Sequence, residues 1–296
     1  MTISCVTNHR RSVNNLGPDR TSTLSAFRPF RLGEYDLGLV RPDFAATLLD
    51  PQHGGTFVDV GSHITLSEQL IHAPAAERTA AVATVMTRLR DSGVVTGWRD
   101  ELYPVLSTFG GDPALLVERA VAAPLGIRAF GVHVNGFVRH PKEGIQMWVA
   151  RRSATKPTWP GMLDHVVAGG QPHGISPSEN VIKECGEEAG IPHELAKKAK
   201  PAGVVSYETL GDRGVGRDVL FVYDLELPVD FVPVPSDGEV DEFTLMPMAE
   251  VARIVRDTHD YKPNCNLVVI DFMIRHGFIT PEQPRYADLV HRLRVL

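Results

Sequence analysis

Hydrophobic positions follow two rhythms along this chain. Up to about residue 125, short helical and strand-like patterns alternate. Residues 41–49 enter through Pro42 and predict a short helix, since a proline at the first helical position has no amide hydrogen to leave unpaired. Residues 56–60 and 63–66 read as two strands joined by Gly61-Ser62. Val82, Val85 and Leu89 recur at helical spacing, which predicts a helix over residues 74–89 that closes near Gly93. Asp112-Pro113 is expected to open another helix through Leu116 and Val117. From about Ile127, two-residue alternation takes over. It predicts strands at 130–138, 145–150, 165–168, 203–207, 219–223 and 239–245, with helices at 177–189, 248–256 and 264–276.

Composition sharpens this picture. The 296 residues are enough for two domains, and 43% hydrophobic with 22% charged residues supplies a core that needs neither disulfides nor a metal. The net charge of −6 argues against a nucleic-acid backbone as partner. No apolar run approaches the roughly 18 residues of a membrane span. Cys5, Cys185 and Cys265 are far apart and form no CxxC pair, so reduced thiols in a cytoplasmic protein are expected rather than a disulfide scaffold or a zinc site. The polar start lacks the apolar stretch of a secretory signal. The expected organisation is a flexible leader over 1–28, an α+β domain over 29–125 and a catalytic domain over 126–296, as a monomer or homodimer.

The informative segment is 169–191. Ser176, Pro177 and Glu179 make a capping-box start, and Gly190 before Ile191-Pro192 makes a stop. At about 100° per residue, Glu184, Glu187 and Glu188 fall within an arc of roughly 100°. Val181, Ile182, Cys185 and Ala189 lie on a neighbouring face suited to packing on a sheet. Carboxylates so placed repel one another, and a hard divalent cation relieves that repulsion. The Gly169-Gly170 turn lets backbone approach a metal or phosphate closely. A solvated acidic face is the competing explanation, but the turn, cap and stop around these acids favour metal plus diphosphate. Cys185 is expected in the core rather than as a nucleophile. His133, His165 and His173 show no metal-ligand spacing and are expected to be structural. Lys183 is spaced to pair with Glu179.

These residues resemble the Nudix box: Gly, five residues, Glu, seven residues, Arg-Glu, an apolar residue, any residue, Glu-Glu, any residue, Gly and a final apolar residue. The chain supplies Gly169, Glu184, Cys185, Glu187, Glu188, Gly190 and Ile191 in register. Ile175 stands where the first Glu is expected, and Lys183 replaces the Arg. A wider resemblance rests on residues 151–164, Gly169-Gly170, Lys183-Glu184-Cys185, Asp237-Gly238-Glu239-Val240 and Lys262-Pro263-Asn264-Cys265. It is to the branch of Nudix hydrolases associated with thiamine pyrophosphokinase in fungi, which carries a characteristic N-terminal domain.

The resemblance implies an α/β fold, a Nudix α/β/α sandwich with a mixed sheet, preceded by a smaller α+β domain. It implies Mg²⁺-dependent removal of one phosphate from thiamine diphosphate or its oxidised analogues, with Mn²⁺ as a substitute ion. Glu184, Glu187, Glu188 and the Gly169 carbonyl would hold the metal, with Glu239 as a further ligand. Glu187 or Glu188 would take the proton of the attacking water. Arg151, Arg152, Lys156 and Gly170 are the candidates for the phosphates, Trp159 for stacking on a ring and Asp164 for pairing with a ring amine. Rival readings are a hydrolase of ADP-ribose or another nucleoside diphosphate derivative, and a diphosphate sensor without turnover. An isopentenyl diphosphate isomerase of the same fold needs a catalytic cysteine and extra metal-binding histidines, an arrangement not legible here.

Overall fold

The computed structural model describes residues 20–294. The N-terminal part begins with helix α1 (Arg20–Leu24), strands β1 (Arg28–Leu32) and β2 (Tyr35–Val40) and helix α2 (Pro42–Leu48). Strands β3 (Phe57–Asp59) and β4 (Ile64–Leu66) follow, then helices α3 (Glu68–Ile71) and α4 (Ala75–Asp91). Strands β5 (Leu102–Val105) and β6 (Leu115–Glu118) and helix α5 (Ala122–Leu125) complete this part. The first four strands form one sheet in the order β2-β1-β4-β3, and β5-β6 form a separate pair. The predicted stripe of α4, with Val82, Val85, Met86 and Leu89 buried, packs into one core with Phe30, Ile64, Val105, Leu115 and Leu125.

The second part holds β7 (Arg128–His140), β8 (Gly144–Arg152), β9 (Leu163–Asp164) and β10 (Val167–Gly170), then α6 (Pro177–Ala189) and α7 (His193–Ala196). Strands β11 (Lys200–Gly211), β12 (Gly214–Glu226) and β13 (Val240–Pro247) precede helices α8 (Met248–Asp257), α9 (Pro263–Arg275) and α10 (Tyr286–Arg292). The sheet runs β11-β12-β7-β8-β13, with β10 on β7 and β9 on β8. It is mixed, because β12 lies parallel to β7 while β7 and β8 are antiparallel. Alternation along β7 divides the sheet's two faces. Val132, Val134 and Val138 pack with Val181, Cys185 and Ala189 of α6. On the opposite face, Phe137 packs with residues of α8, α9 and α10. The result is the expected α/β/α sandwich behind a separate N-terminal domain.

Two expectations change. Residues 115–118 form a strand rather than a helix: Leu115 and Val117 turn inward, and the segment pairs with β5 in the register Tyr103↔Val117. The Asp-Pro helix signal yields here to a tertiary partner, as local propensity often does. The segment expected as a leader over 1–28 contains a helix, α1, where Arg20 Nη2 donates to Glu208 Oε1 at 2.7 Å. The free thiols Cys185 and Cys265 are both buried, while Cys5 lies outside the described residues.

Closely apposed backbones knit the N-terminal part together and, at Gly214, join it to the second part. A side chain on Gly38 would strike the Leu125 carbonyl, and one on Gly126 the Leu39 carbonyl. Gly214 stands against the Ala123 carbonyl in the same way.

Candidate active site

Helix α6 is built as its sequence dictates. The Ser176 hydroxyl accepts from the Glu179 amide at 3.2 Å, and the Glu179 carboxylate accepts from the Ser176 amide at 2.8 Å. Gly190 closes the helix in the left-handed region at φ 59°. With Glu179 committed to the cap, Lys183 pairs elsewhere: its Nζ donates to Glu187 at 2.6 Å and to Glu184 at 3.2 Å.

Along one side of α6 runs a cleft of about 690 Å³. Gly169, Gly170, Glu184, Glu187, Glu188, Lys156, Trp159 and Glu239 all line it. The Gly-Gly turn is needed for close contact. A Cβ on Gly169 would sit 2.5 Å from Cδ of Glu184, and one on Gly170 would overlap the Tyr103 hydroxyl. The Gly170 carbonyl accepts from Asn180 Nδ2 at 2.7 Å, tying the turn to the helix. Glu188 is buried, and its Oε2 accepts from the Ala168 amide at 3.0 Å. Burial pushes the Glu188 carboxyl well above the usual range, helped by the charges of Asp164 and Glu184. Burial also raises Glu184.

This all-oxygen donor set suits a hard divalent ion. Glu184 and Glu187 already share one cation, the Lys183 ammonium, and Glu188 is a buried acid beside them. The residues present therefore fit a hard divalent ion, with the Lys183 ammonium paired to two of the carboxylates.

Two anticipated substrate contacts lie off the cleft wall. Arg151 donates to Glu242 at 2.9 Å and to the Gly161 carbonyl at 3.1 Å, at the exposed edge of β8 and β13. Asp164 lies beneath the wall. Its Oδ2 accepts from Arg152 at 2.8 Å and from Lys262 at 3.4 Å, and its Oδ1 accepts from the Cys265 thiol at 2.8 Å. Burial opposes ionisation of Asp164, yet Lys262, His133, His165 and the Cys265 hydrogen bond together outweigh it and hold the carboxyl far below its ordinary range. Arg152 does reach the cleft. It also grips the turn before it, donating to the carbonyls of Thr158 at 2.8 Å and Trp159 at 3.0 Å. That grip holds Trp159 at φ 53°, a strained conformation for a non-glycine residue, with the indole at the cleft mouth. Lys156 Nζ pairs with Glu239 at 2.5 Å.

The remaining walls went unseen in the sequence. Tyr103 and Arg119 of the N-terminal domain line the cleft, with the Arg119 guanidinium 5.8 Å from the Tyr103 ring centre. Arg119 donates to Glu101, another lining residue, at 2.8 Å. Across from α6 stand Tyr207, Asp218, Leu220, Lys262 and Asn264. Among the described residues no hydrogen bond or ion pair holds the Asp218 carboxylate, and burial raises its pKa to about 6 against the pull of Lys262 and Arg119. The Lys262-Pro263-Asn264-Cys265 run marked part of this wall; Tyr103 and Asp218 sit in no comparable motif.

A family model of the NUDIX domain matches residues 129–265, and a model described as a domain of unknown function (DUF4743) matches residues 5–129. Nudix hydrolase 24, chloroplastic, of Arabidopsis thaliana is 48% identical over 271 residues, covering 92% of this chain and 73% of that protein. The chain is a Nudix hydrolase. Nudix hydrolase 20, chloroplastic, of the same plant is 45% identical over 278 residues, covering 92% of this hydrolase and 74% of the relative. Among solved structures, a MutT protein from Methanosarcina mazei Go1 aligns with a TM-score of 0.40 at 19% identity, covering 51% of this chain and 95% of that one. As a Nudix hydrolase the protein acts on small-molecule diphosphates and uses a divalent metal. Among the described residues no helix is long and apolar enough to cross a membrane.

Proposed function

We propose that this Nudix hydrolase removes the terminal phosphate of thiamine diphosphate, or of its oxidised analogues, to leave the monophosphate. The observation that carries the reading is Asp218: a carboxylate without a hydrogen-bond or ion-pair partner among the described residues, facing a cleft whose other end holds the glutamates. A half-buried anion of this kind at a cleft wall favours a cationic or N–H-donating organic group. Thiamine carries both a thiazolium ring and an aminopyrimidine. Leu220 and Phe130 offer apolar surface nearby, and Trp159 stands at the mouth where a ring can stack. The resemblance to the thiamine pyrophosphokinase-associated branch points the same way.

In this reading Glu184, Glu187, Glu188 and the Gly169 carbonyl would hold Mg²⁺, or Mn²⁺ in its place, with Glu239, which lines the same cleft, as a further ligand. When bound, the ion neutralises diphosphate charge and makes water a better nucleophile. Glu188, kept basic by burial, takes the proton from the attacking water; Glu187, more exposed, is the alternative acceptor. Lys156 and Arg152 face the phosphates. Tyr103 and Arg119 close the cleft from the N-terminal side and exclude water from the turn at Gly170. The leader, N-terminal and catalytic segments over 1–28, 29–125 and 126–296 remain the organisation we favour, with α1 inside the first of them. The buried free thiols suit the cytoplasm, our proposed compartment, and a monomer or homodimer is consistent with a cleft completed within one chain.

The test is phosphate release with Mg²⁺ from thiamine diphosphate, its oxo and oxy forms and ADP-ribose, assayed side by side. Preference for the thiamine compounds is expected. Faster cleavage of ADP-ribose would overturn the reading.

A further inference from the structure

On the far side of the sheet from α6, four residues distant in sequence converge under the floor of the cleft. His133 lies in β7, Asp164 ends β9, His165 follows it, and Cys265 sits in the first turn of α9. One ligand atom from each lies within 4.8 Å of those from the other three. His133 Nδ1 and His165 Nδ1 are 2.9 Å apart, Cys265 Sγ is 2.8 Å from Asp164 Oδ1, and that oxygen is 3.8 Å from His165 Nδ1. All four residues are buried.

We propose that His133, Asp164, His165 and Cys265 form a second metal centre, taking a borderline divalent ion of the zinc class rather than Mg²⁺. Two imidazoles, a thiolate and a carboxylate make up a zinc-type ligand set, and Mg²⁺ disfavours sulfur. With metal–ligand bonds of about 2.0–2.3 Å, tetrahedral ligand atoms stand roughly 3.3–3.8 Å apart. The closest pairs here, at 2.8–2.9 Å, would open by up to about 1 Å, and the widest, within 4.8 Å, would close by up to about 1.5 Å.

The apo arrangement leaves these groups imperfectly used. Two Nδ1 atoms face each other and only one can donate, while His165 Nε2 is buried and has no hydrogen-bond partner among the described residues. Burial lowers both imidazoles, His165 to about 4, which keeps them in the neutral form that binds metal. Asp164 is prepared as a ligand as well. Arg152 and Lys262 occupy its Oδ2 and leave Oδ1 turned to the cluster. Binding is a simple exchange without redox change. The Cys265 S–H bond breaks, its proton leaves to solvent, and the sulfur lone pair forms the bond to the ion. Asp164 and the thiolate then balance the two positive charges. Arg152 and Lys262 keep theirs facing the cleft, where a diphosphate arrives. The ion would pin α9 to the sheet and fix the His133–Lys262 part of the floor. This centre does not depend on which diphosphate is cleaved.

The full-length protein, purified without chelator, is expected to carry about one zinc per chain by elemental analysis, retained through dialysis against Mg²⁺. Cobalt replacement should give intense tetrahedral d–d bands and a thiolate-to-metal charge-transfer band. Cys265→Ser should lose the charge-transfer band, whereas Cys185→Ala and Glu188→Gln should keep it. Should Cys265→Ser fail to fold, X-ray absorption of the intact zinc protein reads the ligands directly, with one sulfur and two imidazoles expected. A metal-free protein that yields no cobalt spectrum, an all-oxygen shell, or a charge-transfer band that survives in folded Cys265→Ser would each overturn the proposal.

Discussion

The two long walls of the cleft are built in opposite ways. One is a single stretch, Gly169 to Ile191, whose turn, cap, acids and stop follow one another in the chain and hold one another locally. The other is gathered from β11, β12, the start of α9 and the N-terminal β5 and β6, so that Tyr207, Asp218, Lys262, Asn264 and Tyr103 meet only in the finished fold. A local wall can tune the bond-breaking step with little effect on the rest of the molecule. A gathered wall sets which organic group fits, and it answers to packing far away.

That contrast can be broken by substitution. Glu188→Gln should lower kcat by about 10²–10⁴-fold, the range for a lost general base, with Tm and substrate binding kept. An unchanged kcat would remove Glu188 from the chemistry, and loss of binding instead would argue against its role as a base. Gly170→Ala drives a methyl into the Tyr103 hydroxyl, and displacement of the turn should cost about 10–100-fold in kcat/KM. Adding Tyr103→Phe should restore a measurable part, and a double mutant no better than the single would show that the two walls do not meet there. Asp218→Asn should raise KM for thiamine diphosphate about tenfold while changing kcat little, the mark of a group that binds without reacting. The same carboxyl predicts pH dependence. With its pKa raised to about 6, its charge is present above that pH and lost below it, so wild-type kcat/KM should fall on acidification through 6. In Asp218→Asn that acidic limb should flatten. The smallest effect belongs to Arg151→Ala. Its ion pair with Glu242 is exposed on both sides and worth about 0–1 kcal/mol, so activity should change less than about twofold. A larger loss would return Arg151 to the phosphates.

Legibility in the sequence follows the same division. The boundaries of α6 were readable to the residue because Ser176, Pro177, Glu179 and Gly190 encode them locally. The cores of β7 and β12 were readable as strands because packed layers cover both faces and fill them with apolar residues such as Val132, Val134, Phe137, Leu220 and Val222. Residues 115–118 misled because Pro113 signals a helix start while the strand's partner lies more than ten residues away. His133, His165 and Cys265 offered no spacing rule, since a ladder of β7 on β10 and the approach of α9 bring them together. Asp164 seemed free for a ligand because nothing in sequence announces Arg152 and Lys262 as its neighbours. Contacts within about one turn of helix are written in the chain, and those between layers are written only in the fold.

The backbone joint of Gly214 with the Ala123 carbonyl has a bearing on how such proteins can be re-engineered. Where carbonyls rest against bare α-carbons, no spacer separates the halves, and neither can be exchanged as an independent cassette. A chimera that borrows another relative's front half must bring a backbone at position 123 that still fits against a bare Gly214, or its seam will gape.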